Sequence, residues 1–232
     1  MLVKPRLSRV VPVVLAALLS VACSDLNERP PGLKLPPWVI SAPSPDQLDA
    51  LGVSLGRTTV AEAEKRWGRV LEKAVFSFRD GRNEVEAFAG KLSFGGIEGR
   101  LVAPLDVDAD TAELYASRAT DRKPQPSLSI KQELQAVDSQ ALGTVVLDRL
   151  MFVPATKKLE TAMLEQRFGK PSSRSERGEN GVTLWTYPDK GLVIIHDPEG
   201  PEVMHFVPPA SFPELLKLLE TGPGGTDAAA TA

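Results

Sequence analysis

The sequence predicts an α+β fold, in which short helices precede antiparallel hairpins. Two helical patterns, residues 59–67 and 158–168, each end at a glycine, and short apolar runs separated by Gly, Pro and Asp follow each of them. Aligning Gly68 with Gly169 also matches Ala61, Glu64 and Arg66 with Ala162, Glu165 and Arg167. These observations indicate two similar units, and the order of helices and hairpins disfavours a parallel βαβ sheet.

The N-terminus has the composition of a secretory signal. Lys4, Arg6 and Arg9 give it a positive charge, and an apolar run at residues 10–19 follows, which is too short to span a bilayer. Small residues then lead to Cys23, the only cysteine of the chain. We therefore expect residues 1–22 to be removed as a signal peptide.

The segment before Cys23 resembles a bacterial lipoprotein signal, which implies that Cys23 carries a lipid. By the same resemblance, Ser24 after the cysteine favours sorting to the outer membrane, facing the periplasm. Several acyl chains, each adding about 0.8 kcal/mol per buried methylene, would make the anchoring stable. The alternatives are an uncleaved anchor helix or an ordinary secretory signal with an incidental cysteine.

Residues 23–45 are expected to form a tether, because six prolines fall between residues 30 and 45. Extended polyproline chain rises about 3.1 Å per residue, so such a tether could reach roughly 60–70 Å. Within it, residues 38–40 (Trp-Val-Ile) are either a docking segment for a partner or a patch on the domain's own surface. At the other end, residues 222–232 are rich in Gly, Ala and Thr and are expected to be a disordered tail.

The first unit is expected to cover residues 46–120. Residues 45–51 suggest a short helix, and Thr59 with Glu62 forms the capping box of a second helix that closes at Gly68. Strands are expected at 74–78, 84–89, 91–94 and 99–105, followed by a helix at 110–117.

The second unit is expected to cover residues 121–221. Its elements are two strands at 128–134 and 144–152, the helix at 158–168, three strands at 182–187, 192–196 and 202–207, and an amphipathic helix at 212–220.

Loose motifs in both units resemble the SmpA/BamE lipoprotein family and the related β-lactamase-inhibitor-like proteins. They are the Gly56-Arg57-Thr58 turn before the first capped helix, Gly169-Lys170-Pro171 after the later one, and Trp185-Thr186-Tyr187. The resemblance implies two tandem modules, each a helix-turn-helix packed on a small antiparallel sheet. It also implies protein binding, in envelope assembly or enzyme inhibition, with another envelope protein as partner.

Trp185 and Tyr187 are the candidate partner-binding residues. They alternate on one strand and therefore share a face. Trp and Tyr dominate many interfaces, although such a pair is more often packed in the core.

Two further groups of residues have the types of side chain that bind metal ions. His196 and His205 could meet across a hairpin beside Asp197, as two ligands and a carboxylate. Asp106, Asp108 and Asp110 have the spacing of a calcium loop but lack its glycine and glutamate, so Asp110 with Glu113 is better explained as a helix cap. We expect no metal, no cofactor and no catalytic residue.

Charge argues against nucleic acid as a ligand. Loss of Lys4, Arg6 and Arg9 would leave 24 of the 27 basic residues against 30 acidic ones, a net charge of −6. The functional prediction is a membrane-anchored periplasmic protein-binding lipoprotein. One alternative is a lipoprotein that holds a small ligand or envelope glycan between the two units, and another is a divergent hydrolase that uses His196 and His205.

Overall fold

A ten-stranded antiparallel sheet and a three-stranded sheet organise this computed structural model, which describes residues 33–126, 128–155, 160–177 and 181–221. The expected signal segment, Cys23, residues 23–32 of the expected tether and the tail at 222–232 lie outside the described residues. Within the described ranges, no helix combines the length and the apolar character needed to cross a membrane.

The small sheet comprises β1 (Ser41–Ser44), β2 (Gln47–Ala50) and β3 (Val53–Leu55), all antiparallel. The helix expected at 45–51 is therefore wrong. Leu48 and Ala50 are buried whereas Gln47 and Asp49 are only half-buried, so the apolar residues alternate with a period of two, as in a strand with one buried face. Leu51 and Gly52 close the turn with positive φ angles of 50° and 79°.

The large sheet takes its strands from both expected units. In chain order they are β4 (Glu72–Ser77), β5 (Asn83–Phe94), β6 (Ile97–Leu105), β7 (Thr120–Pro124), β8 (Ile130–Glu133), β9 (Leu150–Pro154), β10 (Ser173–Arg177), β11 (Val182–Tyr187), β12 (Leu192–His196) and β13 (Val203–Phe206). Across the sheet the order is β10-β11-β12-β13-β9-β6-β5-β4-β8-β7.

The expected fold class, two helix-turn-helix modules with small separate sheets, is wrong. β6 pairs with β9, placing Leu101 opposite Phe152, so one sheet runs through both sets of strands. The reason lies in these strands: β9 is buried at all five positions, and β6 is buried at most of its positions. A strand that is apolar on both faces is suited to the interior of a sheet and not to the edge of a small one.

Five helices accompany the sheets within the described residues: α1 (Val60–Trp67), α2 (Ala109–Arg118), α3 (Ala136–Ala141), α4 (Thr161–Phe168) and α5 (Phe212–Thr221). The capping box predicted for α1 is confirmed, since Thr59 accepts a hydrogen bond from the Glu62 backbone and the Glu62 side chain accepts one from Thr59. Gly68 then ends α1 in the left-handed conformation. The predicted glycine stop of α4 at Gly169 is also present.

Different elements cover the two faces of the large sheet. On one, the helix-covered face, Trp185, Ile194 and Phe152 pack with buried residues of α1, α2, α4 and the small sheet. On the other, the α5 face, residues such as Leu184, Val193 and Val102 form a second cluster with residues of α5. Because side chains alternate along a strand, neighbours such as Leu184 and Trp185 belong to different cores.

The described part of the expected tether lies against the domain. Leu33 is buried in the helix-covered core, and its carbonyl accepts a 3.0 Å hydrogen bond from the backbone of Gly95, in the β5–β6 turn. Trp38 is partly buried there too, with the guanidinium of Arg167 4.5 Å from its ring centre. Residues 33–40 are therefore a strap on the protein's own surface.

Candidate functional site

A cavity of about 270 Å³ opens on the α5 face, where β5, β6 and β8 meet the loop before β4. Phe88 and Val102 lie opposite each other on neighbouring strands and contribute apolar surface to its floor. Both side chains are almost fully buried, at 6% and 2% exposure. The volume is just below the roughly 300–1,000 Å³ of typical ligand sites, so the cavity suits a small molecule.

A β-bulge in β5 shapes the cavity. Phe88 pairs with Val102, but Gly90 pairs with Leu101, so Ala89 is an extra residue in β5. The bulge needs a glycine, because the φ angle at Gly90 is +65°. Arg69 donates a 3.2 Å hydrogen bond to the Ala89 carbonyl, and this contact holds the guanidinium beside the bulge. The two strands expected at 84–89 and 91–94 are therefore one bulged strand, β5.

Three basic side chains line the cavity: Arg69, Arg100 and Lys131. Arg100 lies two residues before Val102 on β6 and so shares its face. Lys131 points over the ring of Phe88, 4.8 Å from its centre, and makes a 2.8 Å salt bridge with Glu72. Glu72 is the single acidic residue among the described residues of the lining, so the formal charge of that lining is +2, on a chain that is negative overall.

Two buried titratable groups lie on the same sheet face, outside the cavity lining. Glu86 precedes Phe88 by two residues, and its Oε2 has no hydrogen-bond partner among the described residues. Burial, reinforced by Glu84, raises the pKa of Glu86 to about 7, against the opposing effects of Arg149 and Lys131. The carboxyl is therefore easily kept neutral in its apolar surroundings.

His205 is the second such group. It stands opposite Val193 on one side and Met151 on the other, and within the described part of the chain neither ring nitrogen has a hydrogen-bond partner. Burial, with smaller contributions from Arg149 and Arg177, lowers the pKa of His205 to about 3. The imidazole is accordingly neutral at physiological pH.

The structure places Trp185 and Tyr187 in the helix-covered core, at 2% and 4% exposure. The Trp185 indole N–H donates to Thr183 Oγ1 at 3.0 Å, and the guanidinium of Arg174 stacks on its ring at 3.8 Å. The Tyr187 hydroxyl donates to the Gly169 carbonyl at 3.1 Å. Of the two interpretations that the sequence left open, these contacts correspond to core packing. Cys23 lies outside the described residues.

His196 and His205 do not meet. His205 pairs with Val193 and points to the same face as that residue. His196 lies two residues after Ile194 and shares the face of Ile194, which is the opposite one. The two imidazoles therefore point to opposite faces of the sheet. His196 instead places Nδ1 3.3 Å from Oε1 of the fully buried Glu202. Among the described residues no cluster of three or more His, Cys, Asp or Glu side chains could hold a metal ion.

One of the three aspartates at 106, 108 and 110 caps a helix, but it is not the predicted residue. Asp108, and not Asp110, is the N-cap of α2. Its carboxylate accepts hydrogen bonds from the backbone N–H of Thr111 at 2.9 Å and from the Thr111 hydroxyl at 2.7 Å. These bonds lower the pKa of Asp108.

The cavity residues were missed by sequence reasoning. Arg69, Arg100 and Lys131 belong to a loop, β6 and β8, and only the pairing of the strands brings them together. Gly90 inside an apolar run was the one available signal, since a glycine within a strand pattern indicates a bulge.

No family model, no curated protein and no solved structure matches this chain. The resemblance to SmpA/BamE lipoproteins stays a prediction.

Proposed function

We propose that this chain is a ligand-binding lipoprotein of the cell envelope, which holds a small anionic molecule in the cavity beside the Gly90 bulge and does not act as an enzyme. The observation that carries the proposal is the convergence of Arg69, Arg100 and Lys131 on a cavity whose floor includes Phe88 and Val102. A concave apolar site with a few converging polar groups is the usual form of a small-molecule site.

Each part of the cavity has a role in binding. The guanidinium groups of Arg69 and Arg100 present planar arrays of donors that match a carboxylate, sulfonate or phosphate. Lys131 is held over Phe88 by its salt bridge with Glu72, so an incoming anion would compete with that carboxylate. Apolar contact with the floor adds little affinity, because Phe88 and Val102 are only 6% and 2% exposed before a ligand binds.

The geometry favours this function over the other two that the sequence suggested. The residues named for protein binding, Trp185 and Tyr187, are packed in the core and offer a partner almost no surface. The residues named for hydrolysis, His196 and His205, lie on opposite faces of the large sheet. The cavity, by contrast, brings together three cations that a ligand can reach, the exposed Arg69 and the half-buried Arg100 and Lys131.

A fluorescent apolar anion, 1-anilinonaphthalene-8-sulfonate, tests the proposal on the full chain. We expect saturable binding at one site, weakened at least tenfold in an Arg69→Ala/Arg100→Ala double variant. An Arg57→Ala/Arg122→Ala variant, which removes the same charge from two exposed positions outside the cavity, is the control and should bind as the wild type does. Absence of saturable binding, or equal affinity in all three proteins, would refute the proposed function.

Membrane anchoring through Cys23, with the protein at the outer membrane and facing the periplasm, is the second part of the proposal. It is supported by the resemblance of residues 1–23 to a lipoprotein signal. Labelled palmitate should enter the wild-type protein and not a Cys23→Ser variant, and only the wild type should float with membranes. A Cys23→Ser protein that still floated with them would remove this part and leave the cavity unaffected.

A further inference from the structure

We infer that two copies of this chain associate through β10, an outer strand of the large sheet, and pair antiparallel across a two-fold axis at Ser175. Strands β11, β12, β13 and β9 separate β10 from the cavity, so this association is independent of the proposed function. Three features of β10 support it: its regular register, the alternation of its backbone groups, and the opposite charges of Arg174 and Glu176.

The two outer strands of the large sheet, β7 and β10, differ in how well they can accept another strand. In β7 the register with β8 shifts after Thr120, the φ angle of Asp121 is +47°, and Pro124 has no N–H to donate. Bulges and prolines of this kind protect an edge from pairing. β10 has neither: its five residues pair with β11 in unbroken register, and four of their side chains are exposed. Among the described strands, β10 pairs with β11 alone.

The alternation of backbone groups limits how two copies of β10 can pair. Successive residues of an antiparallel strand direct their N–H and C=O groups to opposite sides, so a residue that faces outward must meet another that faces outward. A two-fold axis between identical strands must therefore pass through a residue, and not between two residues. Only a few registers of β10 meet this condition.

The charges of β10 select one of these registers. An axis at Arg174 would place two arginines opposite each other, and an axis at Glu176 would place two glutamates opposite each other, which is unfavourable. An axis at Ser175 places Arg174 opposite Glu176 of the partner subunit, and the symmetry repeats this pair. The charges thus favour a second copy in one register and disfavour the neighbouring registers.

Arg174 is already oriented for such a pair. It stands opposite Trp185 on β11, so it and Glu176 project on the helix-covered face. Its guanidinium lies on the Trp185 ring, 3.8 Å from the ring centre, and donates a hydrogen bond to Glu165 on α4. A guanidinium has several N–H donors, and this side chain is 41% exposed, so a second carboxylate can bind to it. The backbones of the two strands would add about four to six hydrogen bonds.

Sedimentation equilibrium of the full chain in a non-ionic detergent tests the association. We expect a concentration-dependent equilibrium between monomer and dimer. Glu176→Arg should weaken it about tenfold or more, because both cross-edge pairs become pairs of arginines. Glu113→Arg makes the same charge change at an exposed position of α2 and should dimerise as the wild type does. Urea midpoints close to that of the wild type would show that both variants are folded.

An introduced disulfide tests the register. The Cα atoms of directly opposite residues in an antiparallel pair are about 4.5–5.5 Å apart, within the range of a disulfide. With Cys23 replaced by serine, Ser175→Cys should form a covalent dimer on oxidation. Ser173→Cys should not, because the two copies of residue 173 would lie roughly 14 Å apart along the strands.

Three results would overturn the inference. They are a monomer at all concentrations, equal dimerisation of the wild type and Glu176→Arg, and crosslinking through residue 173 that is as efficient as crosslinking through residue 175.

Discussion

The two faces of the large sheet differ in how completely they are filled. On the helix-covered face, Trp67, Phe94 and Phe152 interlock edge to face, with successive ring centres 6.4 and 5.4 Å apart. Among the described residues, buried polar atoms without a hydrogen-bond partner occur on both faces, as Gln132 Oε1 on the helix-covered face and as Glu86 Oε2 and both His205 ring nitrogens on the α5 face. The cavity, however, lies on the α5 face. A dense apolar core stabilises the fold, whereas buried polar atoms and cavities cost stability. The cavity on the α5 face is therefore a feature that stability alone does not explain, and we place the binding site there.

The largest expected effect comes from damage to the helix-covered core. Trp67 is 1% exposed, and its indole N–H donates to the Leu51 carbonyl at 2.8 Å, joining α1 to the turn of the small sheet. Replacing it with alanine leaves a large void, so Trp67→Ala should lower the free energy of unfolding by about 3–5 kcal/mol. Urea denaturation followed by circular dichroism measures the loss. A loss below about 1 kcal/mol would mean that this face is not the main core.

A pH-dependent effect is expected from Glu86 on the α5 face. Its native pKa of about 7 exceeds the ordinary 4.5, so between these values the folded protein keeps a proton that the unfolded chain has released. The contribution of this group to the free energy of unfolding therefore falls as the pH rises through this window. The total decrease is on the order of 3 kcal/mol. Glutamine at position 86 cannot ionise. The free energy of unfolding of Glu86→Gln, measured relative to the wild type, should therefore increase by that amount as the pH rises from 4.5 to 8.

Denaturation midpoints of both proteins at several pH values measure the gain. His205, whose pKa is lowered from 6.5 to about 3, has the opposite sign: the unfolded state is protonated first, so its contribution is lost as the pH falls from about 6.5 to 3. The histidine is present in both proteins, so its contribution cancels in their difference. A difference that stays constant with pH would show that Glu86 is not buried in a neutral form.

A matched pair of small-to-large changes compares the space on the two faces. Val85 lies in the helix-covered core and Val102 on the α5 face, each 2% exposed. Val85→Leu should lower the free energy of unfolding by about 1–3 kcal/mol, because extra methylenes in a dense core force neighbouring side chains out of their rotamers. Val102→Leu can extend into the cavity, so it should cost less than about 0.5 kcal/mol while weakening ligand binding.

Urea midpoints give both costs, and titration with the naphthalene sulfonate gives the affinity. Equal costs for the two variants would indicate that the two faces are equally well packed.

The smallest effect is expected at the rim of the cavity. Val70 is 80% exposed and contributes to the lining. Val70→Ser should change the free energy of unfolding by no more than about 0.5 kcal/mol, since exposed positions without special contacts are tolerant of substitution. A change above about 1 kcal/mol in the same denaturation assay would assign this loop to the core.

Local features were predictable from the sequence, and long-range pairing was not. The capping box at Thr59, the glycine stop at Gly169, and the strands of residues 182–187 and 192–196 depend on neighbouring residues, and the structure has all of them. The helix expected at 45–51 failed because so short a run can fit both periodicities, and burial of Leu48 and Ala50 favoured the strand.

The site depended on information that a single sequence does not contain. A shift of one residue in strand register moves every side chain to the other face, so the separation of His196 from His205 could not be read from their spacing. The approach of Arg69, Arg100 and Lys131 likewise follows from the pairing of β5 with β6 and from the position of β8 beside β4. Gly90 indicated a bulge, but nothing in the sequence indicated which basic residues would surround it.

The most direct test of the central claim is a map of ligand-induced amide shifts in the protein labelled with ¹⁵N. On addition of the naphthalene sulfonate, the largest shifts should cluster around Gly90, Arg100 and Lys131, while amides of the small sheet and α1 should move little. Shifts centred on the helix-covered side, or spread evenly over the domain, would contradict a binding site on the α5 face.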